Sequence, residues 1–412
     1  MSTFNPIPFR AQFPALTRQV NGQTAIYLDG PGGTQVPQTV IDAISHYFTA
    51  GGSNYGGPFA ASQFTDATVD AARQAMIAFY NAQHPTEIVF GQNMTSLIFP
   101  LSRALATTWQ AGDEIILSPL DHDANVSPWL RVAEDHNLTI RWLGLNHHDC
   151  TLDLTTLPNL LNDKTRLVAV TAASNAVGSI TNLTPIIQQA HAAGALVLID
   201  AVHYAPHDII DVQALDCDFL LSSAYKYFGP HTGILYGKYE HLDALNAYKV
   251  RPAPTNPPMK WETGTQSFES LAGVTAAVHY LANISGSDGS LRDRLVASMT
   301  TIKQYEQTLS AAFLKAAATI PGLRIYGITD TEKLASRTPT FAISLDGHTP
   351  SAIAQHLANH GIFVWDGHYY AITIMDKLGL LDQGGLVRIG FAHYNTHDEL
   401  DRLITTLRQL TT

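Results

Sequence analysis

Cysteine is almost absent from this chain, with Cys150 and Cys217 the only two in 412 residues. Two thiols are too few for a disulfide framework and lack the paired spacing of a zinc site, so a reducing compartment is expected and the protein is read as cytoplasmic. Charge is also scarce: 14% of residues are charged, and 24 basic side chains against 35 acidic ones leave a net charge of -11. That sign repels phosphate backbones and anionic lipid surfaces, so neither nucleic acid nor membrane is expected as a partner. No stretch approaches the roughly 20 uninterrupted apolar residues of a membrane span, and the start, MSTFNPIPFRAQFPAL, has no basic segment leading into an apolar run. Internal repeats and low-complexity tracts are missing as well. What remains is a long chain, 45% hydrophobic, able to bury a large core and to divide into two domains.

From about residue 86, short runs rich in Val, Ile and Leu alternate with helix-length amphipathic segments: EIVFGQ, DEIILSP, TIRWLGL, RLVAVTAAS, ALVLIDAV, FLLSSA and TGILYG. This alternation predicts an α/β fold on a mostly parallel sheet covered on both faces. Such sheets bind ligands at the carboxyl ends of their strands. The residues that follow the runs are chemically rich there: Met94 and Thr95, His122, Asn175, Asp200, and Ser223 to Lys226. After residue 240 the proline-rich RPAPTNPP cannot be regular helix or central strand. Helical periodicity then returns over residues 267–318. Strand-like LRIYGI, TFAISL, IFVW and LVRIGF follow, with helix-like PSAIAQHLANHG and a last helix from about Asp398, which predicts a smaller α+β domain.

The sharpest constellation is ALVLIDAVHYAPH followed by CDFLLSSAYKYFGPHTG. One apolar run ends in Asp200 and the next leads into Ser223, Tyr225 and Lys226. A lysine after a strand is ordinarily a solvated surface group, and an aspartate there is ordinarily a helix cap. Together they meet the needs of pyridoxal 5'-phosphate (PLP): a carboxylate to keep the ring nitrogen protonated, and an amine to form an imine with the aldehyde carbon.

YLDGPGG, EIVFGQNMTS, LSPLDHDANVSPW, RLVAVTAASNAVGS, LVLIDAVHYAPHDIIDVQALDCDFLLSSAYKYFGP and RIGFAHYNTHDELDRLI resemble the cysteine desulfurase and selenocysteine lyase branch of the class V aminotransferases, with the spacing between segments kept. The resemblance implies a fold-type I PLP enzyme with a seven-stranded-type sheet, a large PLP-binding domain over residues 17–285, and a small α+β domain over 286–412 joined by 1–16. It gives Lys226 the Schiff-base role, Asp200 the ring nitrogen, and His122 the stacking position on the ring. Asn175 falls near the phenolic oxygen, with His203 where the family usually has glutamine. Thr95 and Ser223 match phosphate ligands; Met94 offers only its backbone amide there, and Tyr225 replaces a histidine. Thr265 matches a threonine that crosses from a neighbouring subunit, implying a homodimer with shared sites. Arg388 matches the clamp on the substrate's α-carboxylate, a task suited to a planar guanidinium fork.

Departures from the family carry equal weight. In VWDGHYYAITIMD, Tyr370 stands where desulfurases carry the cysteine that receives sulfur, and Trp365 replaces an arginine. A phenol cannot form a persulfide, and the positions of Cys150 and Cys217 look structural. GGSNYGGPFAAS offers Asn54, Tyr55 and Gly56 in place of a His-Arg pair presented to the partner's site. The mouth is thereby less basic and more aromatic, and the expected substrate is an α-amino acid other than plain cysteine. The expected activity is a carbon-sulfur or other β-lyase; class V aminotransferase, amino-acid epimerase and a non-catalytic PLP-holding protein are the alternatives. No metal is expected: His147, His148 and Asp149 lack a matched second pair, and GPGG at 30–33 lacks the context of a nucleotide motif.

Overall fold

The computed structural model describes residues 4–411. Its centre is a seven-stranded sheet built from β1 (Ile88–Gly91), β2 (Glu114–Leu117), β3 (Thr139–Trp142), β4 (Thr165–Thr171), β5 (Leu196–Asp200), β6 (Phe219–Ser223) and β7 (Gly233–Gly237). The spatial order is β1-β7-β6-β5-β4-β2-β3. Only β7 runs against its neighbours, so the fold is α/β on a mostly parallel sheet, as the alternating runs predict. Its middle strands are apolar on both sides because both faces are covered: Val168, Val170, Val197 and Ile199 pack on one face, and Leu167, Ala169, Leu198 and Leu221 on the other.

The parallel register decides where the chemistry lies. Asp200 is aligned with Thr171 on one side and Leu221 on the other, so β4, β5 and β6 end along one edge. The loop after β2 that holds His122 emerges at that edge too. Beside it starts α1 (Met94–Ala106), capped by Asn93, whose side chain accepts from the Ser96 amide at 2.8 Å. Such a cap contributes about 1 kcal/mol and fixes the direction of the first turn.

TIRWLGL divides in two. Residues 139–142 form the sheet-edge strand, whereas Gly144–Asn146 leave it and pair with Thr151–Asp153. The histidine-rich loop is therefore a hairpin tip, and Cys150 closes it with a left-handed backbone (φ 51°) and a buried side chain.

Two helices, α2 (Phe268–Ala282) and α3 (Leu291–Ala317), connect to a four-stranded antiparallel sheet of β8 (Leu323–Tyr326), β9 (Thr340–Leu345), β10 (Trp365–Gly367) and β11 (Leu386–Gly390), in the order β8-β9-β11-β10. Ile26–Tyr27 pair in parallel with Ile362–Phe363, and Asp29 bridges Gly390. The YLDGPGG segment is thus anchored to the carboxyl-terminal sheet, and its next residues reach the edge where Lys226 lies. No helix among the described residues is long and apolar enough to cross a membrane.

Candidate active site

A cavity of about 810 Å³ opens at the carboxyl edge of the large sheet, closed from the other side by β10, β11 and the loop between them. Lys226, Asp200, His122, Met94, Thr95, Asn175, His203, Ser223, Tyr225, Arg388, Trp365 and Tyr370 all line it. Thr265, Asn54 and Tyr55 do not line it; each is exposed on its own chain.

Lys226 follows β6 in a short 3-10 turn, and its Nζ donates to the carbonyl of Pro31 at 2.5 Å. Burial, with Arg388 nearby, pushes the amine down to about 7. Asp200 is buried at the end of β5 and accepts from the Val202 amide at 2.8 Å. Burial raises its carboxyl to about 6, against the pull of that bond and of Lys226.

His122 accepts at Nδ1 from the Ala124 amide at 2.9 Å, which places its ring proton on Nε2. Desolvation and the cations Lys226 and Arg388 push it down to about 4, so the ring is neutral at physiological pH and offers a flat face. His203 is buried, pairs through Nε2 with Thr338 Oγ1 at 3.1 Å, and is held well below the ordinary histidine range by burial.

At the helix end of the cavity, the Met94 amide donates to Ser223 Oγ at 3.0 Å. That leaves the hydroxyl hydrogen of Ser223 free to donate, beside Thr95 in the first turn of α1. An anion is favoured there by the helix N-terminus. Tyr225 lies flat against His231, with centroids 4.7 Å apart and planes 13° apart, and the Lys226 ammonium sits 4.7 Å from its ring centre.

Arg388 is buried on β11. Its Nη1 donates to the carbonyl of Asn175 at 3.0 Å, its guanidinium lies 4.6 Å from the centre of the Tyr369 ring, and its Nε has no partner among the described residues. Burial lowers it to about 10, which still leaves it charged. Trp365 is its direct cross-strand neighbour. The indole lies against Gly32: a Cβ at Gly32 would meet Trp365 Nε1 at 2.6 Å and Arg388 Nη2 at 3.6 Å, so a bare backbone is required for the two donors to converge.

Sequence reasoning did not single out Asp29, Pro31, Gly32, Asp121, His231, His368 or Tyr369. Asp29 lies near Arg388 and Lys226, with Oδ1 buried and unpartnered among the described residues, and burial raises its carboxyl to about 6. Asp121 is buried and raised well above the usual range by burial and by Asp200, while accepting from Asn125 at 2.6 Å and the Thr171 amide at 3.0 Å. YLDGPGG, a matched segment, was the signal available for Asp29, and GPHTG, at the end of the Asp200–Lys226 constellation, the one for His231.

These residues fit PLP on structural grounds. An amine with a lowered pKa, a buried carboxyl and a neutral ring line one cavity, and a hydroxyl with a free hydrogen lies at a helix N-terminus. Asn175 Oδ1 is buried without a partner among the described residues. Lys226, Asp200, His122, Ser223 and Thr95 are the groups that would hold the cofactor.

Comparison with known proteins gives the family. The aminotransferase class-V family model matches residues 26–403. A cysteine desulfurase of Cronobacter sakazakii is 34% identical over 424 residues, covering 98% of both chains. One from Pectobacterium atrosepticum is 32% identical over 416 residues and covers 97% of each. Among solved structures, a cysteine desulfurase from Escherichia coli superposes with a TM-score of 0.85 at 29% identity, covering 100% of this chain and 99% of that one. The apo enzyme from Thermococcus onnurineus NA1 gives 0.88 at 25% identity with the same coverage. The chain belongs to the class V aminotransferase family and is a PLP-dependent enzyme of fold type I.

Proposed function

We propose that this enzyme cleaves a bond at Cβ of an α-amino acid, as a carbon-sulfur or related β-lyase, without a sulfur relay on the protein. The reading is carried by one observation: Lys226, Asp200, His122 and Arg388 line a single cavity, while both thiols are buried and neither lines it. Burial pushes Cys150 up to about 11 and raises Cys217 as well, so neither is a ready thiolate.

When bound, PLP supplies the electron sink for charge that develops at Cα. Arg388 holds the α-carboxylate in its fork, and the indole N–H of Trp365 lies beside it. Lys226 takes the Cα proton as a free amine, which its lowered pKa favours near neutral pH. Asp200 would hold the proton of the ring nitrogen, and His122 would offer its flat face to the ring. The relatives are named for cysteine, and the carried-over substrate class is an amino acid with a leaving group on Cβ. The aromatic rim of Trp365 and Tyr370 favours a side chain larger or less polar than that of cysteine. The active unit is read as a homodimer in which Thr265, Asn54 and Tyr55 of one copy complete the other copy's site; all are exposed on their own chain.

A panel of β-substituted amino acids, assayed for pyruvate, keto acid and racemisation, separates the outcomes. Pyruvate release supports the lyase. Keto acid without loss of the β-substituent points to aminotransfer, inversion at Cα to epimerisation, and no turnover of any compound to a PLP-holding role. Incubation with cysteine and a reductant should leave no protein-bound persulfide by mass spectrometry; a persulfide on Cys150 or Cys217 would restore the desulfurase reading.

The pKa of Lys226 adds a prediction about loading. PLP uptake requires the unprotonated amine, so the uptake rate of the PLP-free protein should rise with pH and level off above about 7. An exposed lysine would instead keep gaining up to ~10.4. Continued acceleration toward that higher value would mean that the loading amine is not the buried one.

A further inference from the structure

We propose that the Tyr369–Tyr370 dipeptide is a fixed clamp that positions His122, Asn175 and Arg388 together from the small-sheet side of the cavity. Both tyrosines have left-handed backbones, with φ of 53° and 56°. Two consecutive non-glycine residues in that region are costly and persist only where the surroundings over-determine them.

Those surroundings are the groups that the site uses. The Asp123 amide donates to the Tyr370 carbonyl at 2.6 Å. One residue back, the His122 ring lies nearly parallel to the Tyr370 ring, with centroids 5.5 Å apart and planes 21° apart. Asn175 Nδ2 donates to the Tyr369 carbonyl at 3.0 Å, which leaves its Oδ1 as the free end of that amide. The Tyr369 ring carries the Arg388 guanidinium at 4.6 Å, and its phenol is pinned to the Leu386 carbonyl. His368 completes the turn by accepting the Tyr370 amide at Nδ1, 3.1 Å away. A shift of this dipeptide therefore disturbs a ring, an amide and a guanidinium at once.

The chemical consequence is specific. At the position that the family resemblance gives to a sulfur-receiving cysteine, this chain has a ring that is tied by its backbone to the His122 loop. Tyr369 and Tyr370 are positioning residues, and the segment serves as a wall rather than a carrier.

Hydrogen exchange on the holoenzyme without substrate tests the clamp, and visible circular dichroism of the bound PLP supplies a second readout. Peptides spanning residues 121–126 and 366–373 should exchange slowly in the unmodified protein. Tyr370→Phe keeps the ring and should change neither readout. Tyr370→Gly keeps the left-handed backbone without strain but removes the ring. It should raise exchange at 121–126 by about three- to tenfold, the range of a ring pair's contribution, and alter the dichroism. Fast exchange at 366–373 in the unmodified protein would overturn the clamp, as would a Tyr370→Gly variant that matches it in both readouts. The clamp presumes that this cavity is the PLP site, but exchange reports the wall itself, so a failure there leaves the cofactor assignment standing.

Discussion

Lys226→Ala should lower kcat by about 10⁴-fold, with a much smaller change in KM. The amine has two tasks, holding PLP and taking the Cα proton, and among the described residues no other lysine lines the cavity to replace it. Asp29 and Asp200 lie near it, yet a carboxyl cannot form the imine that holds PLP, and Asp200 is the group assigned to the ring nitrogen. Substrate affinity should survive because the carboxylate clamp sits on β11 and the amine follows β6. Lys226→Arg should be as inactive as the alanine variant, since a guanidinium stays protonated at working pH. Single-turnover absorbance with saturating amino acid checks this, and a Lys226→Ala enzyme within tenfold of the unmodified kcat would assign the proton transfer to another group.

Arg388→Ala should raise KM for the amino acid by about 10²–10³-fold, the range expected when one partner of a buried, charge-assisted carboxylate pair is removed. The guanidinium is already aimed, by the Asn175 carbonyl at 3.0 Å and the Tyr369 ring, so little ordering remains to be done on binding. Its lowered pKa of about 10 keeps it charged across the physiological range, so the effect should not depend on pH between about 6 and 8. Arg388→Lys should restore charge but not the bidentate fork, and should stay about tenfold or more impaired. The matching ligand change is an amine without the α-carboxylate, which should bind the unmodified enzyme and Arg388→Ala equally weakly. Absorbance titration of the bound PLP reads both. A variant that loses kcat at unchanged KM would place the carboxylate elsewhere.

Much of this site was legible in the sequence for a physical reason. Parallel strands share a carboxyl edge, so residues that follow β2, β4, β5 and β6 converge wherever their apolar runs are recognised, and His122, Asn175, Asp200 and Lys226 follow those runs. The carboxyl-terminal strands were readable as apolar runs, but Arg388 was singled out by the family resemblance, since an antiparallel sheet has no common carboxyl edge.

Residues brought in by long-range contact were less visible. Pro31 lines the cavity and Asp29 lies near Lys226 and Arg388 because Ile26–Tyr27 pair with residues more than 300 positions away. Gly32 matters because an indole from β10 lies on it, and Tyr369 because its carbonyl faces Asn175 across the sheet boundary. YLDGPGG marks the segment that holds Asp29, Pro31 and Gly32, but nothing local reports these contacts. TIRWLGL misled for the opposite reason, since an apolar run does not report where a strand changes partner. Asn54, Tyr55 and Thr265 rest on the resemblance alone, because a single chain does not bring them to its own cavity.

The central claim is that Lys226 holds the cofactor. Purified protein loaded with PLP should be yellow, and borohydride reduction followed by peptide mapping should find the phosphopyridoxyl group on Lys226, in the peptide spanning SSAYKYFGP. A modified lysine in any other peptide would contradict the account.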